Sequence, residues 1–223
     1  MKFKNWRYHS LLVHHLSLSV YLKLFPKYLK KTVCDIGCGT KPYQDFILPH
    51  CDKNFGIDHV NSLHESDQVD VYATAYNTGL KSESVDVVFS SAVLEHLEEP
   101  GMFMSEAHRI LKKDGTIIVG TPLFWHLHEK PRDFYRYTRY GLEYLLTKSN
   151  FKVEEIIPLS GFWVTFTAEL VSYLARFNRS IIKIIPFIPV FCVAIQIAAW
   201  FLNIFDKRNS DWTWAYIAVG RKE

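Results

Sequence analysis

A buried-strand run that breaks into two closely spaced glycines constrains this chain more than any other feature. Val33-Cys34-Asp35-Ile36 is apolar enough for an interior strand, and Gly37-Cys38-Gly39-Thr40 follows at once. Glycines at that point uncover the backbone, make positive φ accessible and let a ligand approach main-chain amides. Asp58 stands nineteen residues after Gly39, where the next apolar run ends. A carboxylate in that place meets ribose hydroxyls in nucleotide-binding α/β sheets. Strand, acid, glycine pair and downstream Asp together predict a nucleoside-type ligand. The alternative is a tight strand–helix turn that binds nothing.

The loop also discriminates between nucleosides. A dinucleotide site needs a third Gly or Ala for close helix packing and pyrophosphate approach, and Pro42 stands in that place. Proline offers no amide to a phosphate. Asp35 repels a pyrophosphate and welcomes a cationic amine. An adenosine ligand with an amino-acid tail fits better than a dinucleotide. A nicotinamide-dependent oxidoreductase, NAD(P) its cofactor, is the competing enzyme class.

These residues resemble the class I S-adenosylmethionine-dependent methyltransferases, and among them the methyltransferase type 11 group. Asp35-Ile36-Gly37-Cys38-Gly39 is similar to that group's glycine motif. Ser84-Val-Asp86-Val-Val-Phe-Ser90 with Val93-Leu94-Glu95-His96 is similar to its fourth-strand signature. Arg109-Ile-Leu-Lys-Lys-Asp114-Gly115 is similar to the turn before its fifth strand. The resemblance spans about residues 30–157 plus the last strand. It implies a Rossmann-like, seven-stranded, mostly parallel sheet flanked by helices, with the final strand antiparallel. It also implies S-adenosyl-L-methionine as cofactor. Asp35, Gly37, Cys38 and Gly39 would face the methionine moiety, Asp58 the ribose, and Ser91 and His96 the methionine end. The family often has an Asp at the adenine amine; Thr74 takes that place here.

Residues 121–138, Thr-Pro-Leu-Phe-Trp-His-Leu-His-Glu-Lys-Pro-Arg-Asp-Phe-Tyr-Arg-Tyr-Thr, follow the expected fifth strand. Loops at the carboxyl ends of parallel strands carry the chemistry in such sheets. The segment resembles one found in type-11-like proteins of polysaccharide or lipid assembly. Methyl transfer from a sulfonium is an in-line displacement, and a hydroxyl acceptor must also lose a proton, work suited to histidine. His128 is the first candidate base and His126 the second, with Asp133 orienting a histidine or binding substrate. Glu129, Arg136, Tyr135 and Tyr137 are candidate substrate contacts: Arg136 for an acidic group, the tyrosines for stacking on a ring. The plain alternative is a surface loop of Arg–Asp pairs and packing aromatics. His126-Leu-His128-Glu129 lacks further metal ligands nearby in sequence, so no metal is expected.

Strand and helix patterns alternate along the rest of the chain. Strands are expected over 32–36, 54–57, 69–73, 85–90, 116–120, 152–157 and 214–219, and helices over 43–48, 99–111 and 141–149. Apolar residues make up 48% of the 223 and charged ones 22%, which excludes wholesale disorder and a polytopic membrane chain. Four cysteines form no C-x-x-C pair and read as reduced thiols of a cytoplasmic protein.

Charge is uneven. Seven lysines and arginines, and no acid, precede Asp35. Residues 1–31 therefore read as a basic amphipathic helical arm, interrupted at Pro26, on a methyltransferase domain over 32–223. An apolar helical insertion is expected at 160–210, since Ile184–Phe205 carries no charge over twenty-two residues. A single membrane crossing would strand the last β-strand on the wrong side, so the insertion is expected to be a hairpin: a lid, a dimer interface or a membrane-dipping element. The function expected is methyl transfer to oxygen on a saccharide- or lipid-linked small-molecule acceptor. A non-catalytic membrane-surface adaptor is the other alternative. No nucleic-acid partner is expected; peripheral contact with an anionic membrane, at its inner face, is.

Overall fold

The computed structural model describes residues 10–62, 67–177, 187–206 and 211–223. Their contacts divide the chain into two compact units. One holds Leu22–Leu123, Leu127–Ile157 and Tyr216–Glu223; the other holds the described residues up to Tyr21, Phe124–His126 and those within Pro158–Ala215.

The first unit is built on a seven-stranded sheet of order β3-β2-β1-β4-β5-β7-β6. The strands are β1 (Thr32–Ile36), β2 (Lys53–Asp58), β3 (Val71–Tyr72), β4 (Val85–Ser91), β5 (Leu111–Pro122), β6 (Phe151–Pro158) and β7 (Ala215–Lys222). β1 pairs in parallel with β2 and β4, β2 with β3, and β4 with β5. β7 runs the other way. The Leu159 amide just past β6 donates to the Ala215 carbonyl at the start of β7, while Lys222 Nζ at its end reaches the Leu111 carbonyl at the start of β5. Chain order reverses between β1 and β4, so the carboxyl ends of these strands open a crevice.

Helices cover the sheet: the end of α1 (Leu11–Tyr28) from Leu22 onward, the four-residue α2 (Gln44–Ile47), α3 (Pro100–Ile110) and α4 (Arg139–Lys148). α3 buries Phe103, Met104, Ala107 and Ile110, a helical stripe that joins Val88, Ile117 and Val119 of the sheet in the core. Thr138 caps α4 by accepting from the Gly141 amide at 3.0 Å.

Four local expectations change. Pro26 sits in the last turn of α1 rather than interrupting it. The end of that helix is core, not arm: Leu24, Phe25 and Tyr28 are buried, and Phe25 meets Phe89 edge-on at 5.8 Å. The third strand shrinks to two residues, since little of 69–73 finds a ladder partner. Asp114-Gly115 turns inside β5, not before it; pairing shifts register between Val85 and Val87, and Asp114 takes a φ of 59° to let the strand bulge. Lys2, Lys4, Trp6, Arg7 and Tyr8 of the expected arm, and 178–186 and 207–210 of the expected insertion, lie outside the described residues.

The second unit contains the start of α1 together with α5 (Phe162–Ala175) and α6 (Phe187–Asn203). The two helices form a hairpin closed by its polar ends. Asn203 Oδ1 accepts from the Gly161 amide and Asp206 Oδ2 from the Phe162 amide, each at 2.8 Å, satisfying donors that the first turn of α5 leaves over. Gln196 Oε1 takes the Leu12 amide at 3.2 Å. Among the described residues, no helix is long and apolar enough to cross a membrane.

Candidate active site

The crevice at the carboxyl ends of β1, β2 and β4 is a cleft floored by Gly37, Asp58 and His59. Ala73, Thr74 and Tyr76 form one side; Val93, His96, Glu129 and Arg132 form the other. Gly37 takes a φ of 73° and Gly39 one of 48°, the left-handed backbone that glycine adopts at least cost. A Cβ on Gly37 would also overlap the methyls of Val93. Asp58 is fixed from both sides: Oδ2 accepts from the Gly39 amide at 2.8 Å and Oδ1 from the His59 amide at 2.7 Å. Oδ2 also accepts from the Ser62 hydroxyl at 3.4 Å, while Oδ1 retains a second lone pair for a ligand hydroxyl.

Thr74 lines the cleft, and its hydroxyl accepts from the Asn77 amide at 3.1 Å in a tight turn. That turn is anchored through Glu106, which accepts from the Thr78 amide at 2.7 Å and from Arg109 Nε at 2.7 Å. Burial raises the affinity of Glu106 for a proton, but Arg109 and Thr78 outweigh it and hold the carboxyl down to about 2.

Asp35, Cys38, Gly39 and Ser91 lie behind the lining rather than on it. Burial pushes Asp35 up to about 7; Lys41 opposes the shift and Asp58 adds to it. Burial likewise pushes the Cys38 thiol up to about 12. Ser91 hydrogen-bonds the Tyr43 hydroxyl. Lys41 pairs with Asp70, which also accepts from the Gly56 amide at 2.6 Å, so β2 and the glycine loop share one ion pair.

Beyond His96 the fold assembles an imidazole–carboxylate cluster. His96 Nδ1 lies 2.5 Å from the Arg132 carbonyl. His96 and His128 meet edge-to-face with centroids 4.7 Å apart. The His128 amide donates to Asp133 Oδ2 at 2.9 Å, and its Nδ1 lies 3.4 Å from the same oxygen. Asp133 thus orients His128. Arg136 grips Asp133 in a bidentate pair at 2.6 and 2.8 Å, and holds that carboxyl far below its ordinary range. Glu129 Oε2 is 3.7 Å from His96 Nε2.

Glu95 was the residue sequence reasoning missed. It is wholly buried, and burial pushes its carboxyl up to about 7 against the opposing pull of its own amide and of Thr121. Thr121 Oγ1 is 3.2 Å from Oε2; Oε1 faces His96 Nε2 at 3.9 Å and His128 Nε2 at 4.0 Å. In Glu95-His-Leu-Glu98-Glu99 it reads as one of a run of surface acids. Only its place under β5 shows otherwise.

Three expectations are corrected here. His126 does not join the cluster; it belongs to the other unit, where its amide donates to Glu169 Oε1 at 3.2 Å. Tyr137 is core: it is buried, and its hydroxyl donates to the Leu94 carbonyl at 3.4 Å. Arg136 serves Asp133 rather than standing open to a substrate acid. Tyr135 remains half open, its hydroxyl on the Glu98 carbonyl at 3.0 Å.

Residues 34–119 match the Methyltransf_11 family model, described as a methyltransferase domain. Over that stretch the chain is similar to S-adenosylmethionine-dependent methyltransferases. A probable S-adenosylmethionine-dependent methyltransferase of Mycobacterium tuberculosis, MT3114, is 31% identical over 110 residues. The match covers 46% of this chain and 40% of that relative, so the chain aligns with well under two thirds of it. A SAM dependent methyltransferase from Archaeoglobus fulgidus shares the fold at 19% identity and a TM-score of 0.61, covering 99% of this chain and 96% of that one. The [4+2]-cyclase SpnF does so at 18% identity and a TM-score of 0.61, over 93% of this chain and 81% of its own. At such identity the likeness speaks for the fold alone.

Proposed function

We propose that this chain transfers the methyl group of S-adenosylmethionine to a hydroxyl oxygen of a saccharide- or lipid-linked acceptor. The observation that carries the reading is that one cleft joins both ends of the reaction. Gly37, Asp58 and Thr74 hold the nucleoside side, and His96 and Glu129 wall the opposite side, where the Glu95–His128–Asp133 cluster begins. The oxygen takes the methyl carbon, the sulfonium leaves as a neutral thioether, and the hydroxyl proton departs at the cluster. Holding the two partners in line contributes much of the rate.

The acceptor class draws on the other unit. Trp163, Phe166, Tyr173, Phe191, Trp200 and Phe201 on α5 and α6 are exposed, an aromatic and apolar surface suited to a lipid-linked acceptor at an anionic membrane face. The test is calorimetry with S-adenosylmethionine against NADH, followed by mass spectrometry of lipid-linked saccharide extracts incubated with enzyme and cofactor. Binding of S-adenosylmethionine alone and a one-CH2 gain on an acceptor hydroxyl are expected. Binding of NADH instead would overturn the reading.

A further inference from the structure

The imidazole–carboxylate cluster has an electrostatic feature that methyl transfer by itself does not require. The Arg132 carbonyl can only accept, so a hydrogen bond to His96 Nδ1 places that ring's proton on Nδ1. Its Nε2 then presents a lone pair. Asp133 beside His128 Nδ1 favours the same tautomer there. Both Nε2 atoms face Glu95 Oε1, at 3.9 and 4.0 Å. Glu95 Oε1 and His96 Nε2 are both buried and have no hydrogen-bond partner among the described residues. Acceptors that converge in a buried place repel one another unless something positive stands between them.

The geometry points to a divalent-cation site of the Zn2+ class, held by Glu95 Oε1, His96 Nε2 and His128 Nε2, with Glu129 in reach as a fourth ligand. These ligand atoms of Glu95, His96 and His128 lie within 4.8 Å of one another. Bonds of about 2.1 Å in a tetrahedral site separate ligands by about 3.4 Å, so side-chain rotations of about half an ångström close it. The surroundings match as well. Metal-ligating histidines usually donate their other ring N–H to a backbone carbonyl or a carboxylate, and here those partners are Arg132 and Asp133. Two imidazoles with one or two carboxylates suit a borderline ion that keeps a position open.

This inference rests on the cluster being the acceptor end of the cleft. A cation there binds the acceptor hydroxyl and lowers its pKa, so the proton leaves to water before the oxygen takes the methyl group. His128 is then a ligand rather than the base that the sequence suggested.

The full-length protein, stripped with chelator, is titrated with Zn2+ by calorimetry and with Co2+ by visible spectroscopy. One ion per chain is expected, with Co2+ developing the ligand-field bands of nitrogen–oxygen coordination. His96→Ala and Glu95→Gln should each weaken Zn2+ binding by at least roughly 10- to 100-fold, the loss seen even for outer-shell changes. His50→Ala should not. His96→Ala carries the test if Glu95→Gln fails to fold. An absent Co2+ band, or Zn2+ binding equal in wild type and His96→Ala, overturns the site. S-adenosylmethionine calorimetry on the chelated protein separates the two readings. Cofactor binding without Zn2+ binding removes the metal alone, whereas no cofactor binding removes the proposed function.

Discussion

Replacing Asp35 by Asn should flatten the pH dependence of stability while keeping the shape of the strand end. The ordinary carboxyl value of 3.8 rises to about 7 in the folded protein, chiefly through burial. A raised acid holds a proton in the folded state that the unfolded chain has already lost. Stability therefore falls as pH rises from about 4 to about 7, and the loss is complete above about 7. Three pKa units correspond to about 4 kcal/mol. Other groups titrate in both proteins, so the difference between them isolates Asp35. Urea unfolding at pH 4.5, 6, 7 and 8 should show the variant gaining on wild type by about 2–4 kcal/mol across that range. The cofactor adds a second readout. An ammonium group near Asp35 favours its ionised form, so affinity for S-adenosylmethionine should rise with pH in wild type and stay level in Asp35→Asn. Parallel stability profiles for the two proteins would refute the argument, because they would mean that Asp35 is already ionised in the fold.

Gly37→Val should remove cofactor binding in calorimetry and lower the melting temperature, because position 37 needs a positive φ and its Cβ would overlap Val93. Asp58→Ala should weaken S-adenosylmethionine by about 1–3 kcal/mol and loosen the Gly39 amide, seen as faster hydrogen exchange there. Arg109→Met should cost about 2–3 kcal/mol in urea unfolding, since it strips the charged partner from a carboxylate that also holds the Thr74 turn. Binding to anionic vesicles should weaken but persist as salt rises, because the apolar face of α5 and α6 is not screened; indifference to vesicles at low salt would remove the membrane contact.

The glycine loop and its contact with Asp58 were legible in the sequence because their signals are local. A strand, two glycines and an Asp at the next strand end need only chain connectivity to converge, since parallel β1 and β2 in register bring Asp35 opposite Gly56 and the loop onto Asp58. The same locality gave β1 its observed bounds, 32–36. Where pairing partners decide, reading failed: the third strand is two residues long because its neighbour offers no more, and β5 begins at Leu111 through a bulge that β4 imposes. The imidazole–carboxylate cluster depended on tertiary structure almost entirely. His126 and His128 look equivalent along the chain, yet one meets Glu169 and the other Asp133. Glu95 reads as a surface acid until β5 and the segment after it close over it and bring His128 within 4.0 Å. Backbone motifs are written in consecutive residues, whereas the burial and protonation of a side chain are set by whatever the fold packs against it.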